Sequence, residues 1–293
     1  MKKTLVAAAL IVCAVGAFAQ YDYDKPKPKQ KPLYERLGGV HKIAALIDDF
    51  VNRVAGDEAV AGNPKVMEAV KKHGAPALKF QVTAFVCQMT GGPQKYVGKD
   101  LVAAHKDLGI TEEEWNASAA DFIASMDAMN VPKPEQNELL AFVAGTKKDV
   151  VNVDPNRKGK SNVPNVKPES LYARLGGVDA IAAVVDEFVN ELAQDPVLLS
   201  NPNTVKSLQT GKITAAGLKY LVTEQLCQAA GGPQKYSGRK MAVAHKDLGI
   251  TEKEWESAAK ILANVLNKFN VPEREQKELF AIVGSTKKDI VKK

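Results

Sequence analysis

The chain has 293 residues, 45% of them apolar and 25% charged, with a formal net charge of +6, a composition that suits globular folding. The positive charge is spread over lysine-rich helix faces and linkers with no interleaved aromatics, which argues against nucleic-acid binding.

Residues 1–19 have the layout of a secretory signal. Lys2 and Lys3 supply a basic start, Leu5 to Val15 an apolar stretch, and Ala17-Phe18-Ala19 a small-residue cleavage site. The apolar stretch is short for a bilayer span, and Cys13 lacks the small neighbours of a lipid-attachment site. The expected mature protein is therefore periplasmic or secreted, with no stable membrane insertion after cleavage. Residues 20–32 form a Pro/Lys-rich tail.

In the first folded segment, 33–153, Ile43, Leu46, Ile47, Phe50 and Val54 recur at helical spacing. Leu78, Val82, Phe85, Val86 and Met89 mark a second helix. Thr111 to Glu114 then opens a third with a capping sequence, followed by Trp115, Phe122, Ile123 and Met126. Pro132 and Pro134 break the chain before a last helix carrying Leu139, Leu140 and Val143. The pairs Gly38-Gly39 and Gly91-Gly92 allow the left-handed dihedrals of sharp turns. No stretch alternates with period two, so the expected class is all-α. Residues 154–168, rich in Pro, Asn and Lys, read as a spacer between independent domains.

Segment 169–293 then repeats the first. Gly91-Gly92-Pro93-Gln94-Lys95-Tyr96 returns unchanged as Gly231 to Tyr236, and Ala104 to Glu112 returns as Ala244 to Glu252. Ile181, Val184, Val185, Phe188 and Leu192 repeat the first apolar stripe, and Leu218, Val222, Gln225, Leu226 and Ala229 stand where the second was. The offset is 138 residues at Tyr34/Tyr172 and 140 at His105/His245, far longer than a solenoid unit, so each copy is expected to close its own core. Cys87 and Cys227 occupy matching places within apolar helical stretches and read as buried free thiols.

Of four histidines, only His105 and His245 are in register; His41 faces Asp179, and His73 lies where the copies differ in length. A histidine near a helix end is ordinarily a cap or a satisfied core group. Here it lies in a nine-residue identical run, amid Leu101, Val102, Leu108 and Ile110, with Trp115 or Trp255 opening the next helix. An imidazole projecting from a short segment into an apolar slot is the arrangement that axial haem ligation requires. No Cys-x-x-Cys-His is present, so any haem would be haem b, held without covalent attachment. Zinc would need more ligands than one duplicated histidine and a distant cysteine, and no duplicated nucleophile suits a Ser-His-Asp arrangement.

Leu33-Tyr34-x-Arg36-Leu37-Gly38-Gly39, Phe50, Gly91-Gly92-Pro93-x-x-Tyr96-x-Gly98, Ala104-His105-x-x-Leu108-Gly109-Ile110 and Val131-Pro132, taken in order, resemble a group I truncated haemoglobin, and the second copy repeats the match from Leu171 onward. The resemblance implies two tandem truncated-globin domains, each a two-over-two helical sandwich holding one haem b, with His105 and His245 as proximal ligands. It also implies that Leu101, Tyr96, Trp115, Val82 and Phe50 line the first slot, and Met241, Tyr236, Trp255, Val222 and Phe188 the second. Lys95, Lys99, Lys235 and Arg239 become candidates for the propionates.

The distal side departs from the family. Where members commonly carry a tyrosine after the phenylalanine of the second helix, this chain has Val51 and Val189. The usual distal glutamine and its helical neighbour become Val82 and Leu78, or Val222 and Leu218. The nearby polar residues are Gln81, Thr83 and Gln88 in one copy and Thr223, Gln225 and Gln228 in the other. Val66, Met67 and Val70, or Val205 and Leu208, stand in for a missing haem-covering phenylalanine. The implied function is binding of oxygen or nitric oxide at two haems. A haem-dependent redox enzyme (nitric oxide dioxygenase, nitrite reductase or peroxidase-like) and a haem-free helical interaction module are the alternatives, and no redox partner is indicated.

Overall fold

The computed structural model describes residues 30–292, so the signal segment, Cys13 and residues 20–29 of the tail lie outside the described residues. Every regular element within them is helical, as the absence of period-two alternation predicts; one isolated bridge, Lys99 with Ser161, is the nearest approach to a strand.

The first copy comprises α1 (Leu33–Arg36), α2 (Gly39–Gly56), α3 (Glu58–Ala61), α4 (Pro64–His73), α5 (Ala75–Met89), α6 (Leu101–His105), α7 (Glu112–Ala128) and α8 (Lys133–Thr146), followed by a 3-10 turn at Lys147–Asp149. The second comprises α9 (Leu171–Arg174), α10 (Gly177–Leu192), α11 (Pro196–Leu199), α12 (Pro202–Gln209), α13 (Ala215–Ala229), α14 (Met241–His245), α15 (Glu252–Lys268), α16 (Glu273–Ser285) and α17 (Lys287–Ile290). Local chemistry accounts for the boundaries. The expected capping box is present at Thr111 with Glu114, and again at Thr251 with Glu254. Asn63 and Asn201 cap α4 and α12 with proline at the first helical position. The helices α4 and α12, which no apolar stripe announces, rest on these caps, as α3 and α11 rest on Asp57 and Asp195.

Each copy has its own core. Leu33, Ile43, Leu46, Ile47, Val51, Val86, Cys87, Phe122, Met126 and Leu139 bury together in the first; Ile181, Val184, Val185, Val189, Leu226, Cys227, Leu262, Val265, Leu266 and Leu279 do so in the second. Both cysteines are free and fully buried, and burial pushes both thiols up, as their apolar setting suggests.

The expectation of two separate beads is corrected by a third cluster that crosses between the copies. Ala44, Phe80 and Ala84 of the first bury against Tyr220 of the second, and α2 and α5 pack on α10 and α13. The Phe80 and Tyr220 rings stack with centroids 4.8 Å apart and planes 19° from parallel. Thr214 Oγ1 donates to the His41 carbonyl at 2.7 Å, and His73 Nδ1 lies 2.7 Å from Asp179 Oδ2. Gly217 has to be glycine, because a Cβ there would come within 2.1 Å of His41 Nδ1. The seam is pseudo-symmetric: matched pairs Ala44/Ala182, Asp48/Asp186, Lys79/Lys219 and Thr83/Thr223 surround a cavity of about 30 Å³.

The spacer expectation is corrected as well. Residues 157–162 of the linker lie against the first copy. Asp100 N–H donates to the Lys160 carbonyl at 2.8 Å, Asn162 N–H donates to the Gly98 carbonyl at 2.9 Å, and Arg157 pairs with Asp149. A Pro/Asn/Lys composition reports low apolar content, and this segment is held by backbone hydrogen bonds, which composition does not register.

Candidate functional site

The duplicated histidines close the five-residue helices α6 and α14. His105 Nδ1 lies 2.8 Å from the carbonyl of Leu101, and His245 Nδ1 lies 3.0 Å from that of Met241. A carbonyl only accepts, so Nδ1 carries the proton and the lone pair is on Nε2, for which no protein partner appears among the described residues. Burial holds the His105 imidazole below its ordinary range, against a weaker opposing effect of the Leu101 bond, which favours the neutral, ligating form. This is the orientation expected of a metal-binding histidine whose second nitrogen is held by a backbone carbonyl.

A buried asparagine fixes the turn that follows. Asn63 Nδ2 donates to the Leu108 carbonyl at 3.1 Å and to Glu114 Oε2 at 3.3 Å, while its side-chain oxygen caps α4. Asn201 makes the matching bonds to Leu248 at 3.1 Å and to Glu254 at 2.6 Å. These asparagines were not picked out from the sequence. The register-matched Asn63-Pro64 and Asn201-Pro202 pairs were the available signal.

The other candidates divide among several places. Phe50, Leu78 and Val82 pack on the first core, Phe50 meeting Phe122 edge-on at 5.1 Å; Phe188, Leu218 and Val222 do the same in the second copy. Tyr96 sets its ring edge-on to Phe85 at 5.5 Å, and its hydroxyl donates to the Lys99 carbonyl at 2.7 Å. Tyr236 likewise donates to Arg239 at 2.8 Å. Leu101 and Met241 anchor the histidines through their carbonyls, and Trp115 and Trp255 sit half-buried in the first turns of α7 and α15, outside those core clusters. Lys95, Lys99, Lys235 and Arg239 are exposed.

On the distal side, Val51 and Val189 are buried core residues. Two of the polar neighbours have structural duties: Gln88 and Gln228 accept from the Tyr96 and Tyr236 backbone N–H at 3.0 and 2.7 Å. Thr83 and Thr223 face the seam cavity. That leaves Gln81, whose Oε1 is buried without a hydrogen-bond partner, and Gln225. The copies are not alike here, because Leu221 replaces Gln81 and Gln225 replaces Phe85.

Among the described residues no group of three or more His, Cys, Asp and Glu could hold an ion, and no helix is long and apolar enough to cross a membrane. The donor set therefore fits a group that brings its own equatorial ligands and needs one imidazole and an apolar slot, which is the chemistry of a haem.

Comparison with known proteins agrees. The family described as bacterial-like globin matches residues 32–152 and again 170–292. The group 1 truncated hemoglobin of Synechocystis is 32% identical over 127 residues, covering 41% of this chain and 97% of its own length. Group 1 truncated hemoglobin LI410 of Chlamydomonas moewusii is also 32% identical, covering 42% of this chain and 69% of its own. A solved truncated hemoglobin from Tetrahymena pyriformis is 26% identical with a TM-score of 0.38, covering 41% of this chain and 98% of its own. Each relative spans about one copy, and with both copies matched, the chain belongs to the bacterial-like globin family as a tandem pair of truncated globins.

Proposed function

We propose that this haem-binding globin carries two haems b, one in each copy, and binds oxygen or nitric oxide at both. The observation that carries the reading is the repeated Nδ1–H···O=C bond in α6 and α14, which leaves Nε2 of His105 and His245 without a protein hydrogen-bond partner among the described residues. His105 and His245 are the proposed proximal ligands. Leu101, Tyr96, Trp115, Val82 and Phe50, with Met241, Tyr236, Trp255, Val222 and Phe188, are the proposed linings. When bound, the haem would supply an iron that takes up a diatomic ligand.

The protein side of this chemistry is binding and orientation. The Leu101 and Met241 carbonyls set the imidazole tautomer, and Asn63 and Asn201 hold the turns behind the histidines. Val51 and Val189 present no hydroxyl to a bound ligand, and Val82 and Val222 keep the distal wall apolar. That wall favours reversible binding over turnover that needs proton delivery. With residues 1–19 as a secretory signal, the proposed location is the periplasm or the exterior.

Haem stoichiometry and the absorption spectrum of the purified chain test the reading. Two haems per chain are expected, one in His105→Ala or His245→Ala, and none or only exchangeable haem in the double variant. Wild-type stoichiometry in the double variant would remove the ligand assignment, and a colourless wild type reconstituted with excess haem would favour the haem-free module.

A further inference from the structure

The two histidine segments are identical in sequence from Ala104 to Glu112 and from Ala244 to Glu252, yet they are held differently. Ahead of His105, Asp100 caps α6: one carboxylate oxygen accepts from Ala103 N–H at 2.8 Å, and the other accepts from Lys160 N–H at 2.6 Å. The Asp100 backbone N–H donates to the Lys160 carbonyl, and Lys99 bridges Ser161. Arg157 ties the same stretch to the Lys148 carbonyl at 2.9 Å and to Asp149, in the 3-10 turn that follows α8. Gly159 lies so close to α6 that a Cβ on it would come within 2.4 Å of Ala103 N and 2.6 Å of Ala103 Cβ. Residues 157–162 therefore cross the segment that carries His105, hydrogen-bonded to it through Lys160 and Asn162 after Gly159 and to the 3-10 turn through Arg157 before it.

Ahead of His245 each of these features is missing among the described residues. Lys240 replaces Asp100 and makes no side-chain cap bond, and no chain segment bridges the Arg239–Lys240 backbone. The residues beneath the strap have diverged to match. Val102-Ala103 places a buried valine and a small residue where Gly159 approaches, whereas Ala242-Val243 leaves Val243 57% exposed. A capped segment bonded to the strap at its N-terminal end opens less often than an uncapped one with an exposed valine.

We propose that the interdomain linker, locked on by Asp100, is a strap that positions His105, so that the first site retains its haem longer than the second. This rests on the haem reading above. Asp100 and Gly159 are positioning residues, acting through α6 and touching no haem in the proposal.

Transfer of haem from the full chain to excess apomyoglobin reads the difference. Two phases are expected, with His245→Ala leaving only the slow one and His105→Ala only the fast. Asp100→Ala and, separately, Gly159→Val should speed the slow phase by roughly tenfold or more and leave the fast phase unchanged, because supports of this kind around a ligating histidine are typically worth 10- to 100-fold in affinity. Lys240→Asp should slow the fast phase by restoring the cap. A single phase in the wild type, or a slow phase indifferent to both Asp100→Ala and Gly159→Val, overturns the strap. Amide exchange of the haem-free chain separates this from failure of the haem reading. Residues 102–106 should exchange more slowly than 242–246 and lose that protection in Asp100→Ala, and equal exchange in the two segments counts against the strap even if no haem binds.

Discussion

At the scale of single residues, the buried asparagines are the most exposed to test. Asn63 is a cap, a donor to the Leu108 carbonyl and a donor to Glu114, all from a side chain only 9% exposed. Asn63→Ala removes all four bonds, and about 1–2 kcal/mol of stability should go with them. Thermal unfolding should show the lowered midpoint, and an unchanged one would mean that the turn behind His105 is held by other contacts. Val51 makes a different prediction. Its side chain is 6% exposed in a packed core, so Val51→Tyr overfills that core at roughly 1–3 kcal/mol. If the new hydroxyl reaches the distal site, a hydrogen bond of about 1–1.5 kcal/mol should slow oxygen release about tenfold in stopped-flow measurements. Release as fast as in the wild type would show that position 51 does not point at the ligand. The candidate histidines stand out at this scale because two copies of one sequence separate His105 and His245, which are in register, from His41 and His73, which are not. The asparagines were harder to see, since their importance lies in two carbonyl and carboxylate partners some fifty residues away.

At the scale of elements, the seam helices α5 and α13 have diverged in a coordinated way. Tyr220, Glu224 and Ser237 stand where the first copy has Phe80, Ala84 and Val97. Tyr220 donates to Glu224 Oε1 at 3.1 Å, and the N–H and hydroxyl of Ser237 donate to Glu224 Oε2 at 2.6 Å. Gln94 of the first copy in turn donates to Ser237 Oγ at 3.0 Å. A satisfied polar network and an apolar patch are both stable, and a half-removed network is not. Glu224→Ala alone should therefore destabilise by about 1–3 kcal/mol, and adding Tyr220→Phe and Ser237→Val should recover most of it. Denaturant titration decides, and a triple variant weaker than the single one would contradict the network account. Burial raises the Glu224 carboxyl above its ordinary value, more than its hydrogen bonds lower it. A raised folded-state value stabilises below the unfolded value and loses that contribution as pH climbs through the raised one. The stability difference between wild type and triple variant should accordingly move against the wild type as pH rises from about 4.5.

At the scale of the whole molecule, the stacked Phe80 and Tyr220 pack the two globins against each other, and joint unfolding is the expected outcome. Burying a ring of this size contributes roughly 1.5–3 kcal/mol over leaving it in water. Calorimetry of the full chain should show a single cooperative transition. Fragments 31–155 and 165–293 should melt at lower temperature and self-associate in sedimentation, because the cut exposes the seam and strips the strap from α6. Two transitions at unchanged temperatures would restore the separable picture. His41, half-buried at the seam, has its value lowered first by burial and then by Arg239. A lowered histidine stabilises fully above its unfolded value, so seam stability should fall as pH drops below about 6.5, and His41→Gln should remove that dependence.

The all-α class, the duplication, the apolar stripes, the capping boxes and the paired histidines were determined by sequence alone, because helical periodicity, caps and repetition are local or self-comparing properties. An apolar stripe says that a face is buried but not against what, and α2 and α5 carry one face for their own core and another for the second copy. The seam, the strap over α6 and the asparagine turn were therefore decided only in the tertiary structure, where the partners are backbone groups and side chains from 45 to 173 residues away.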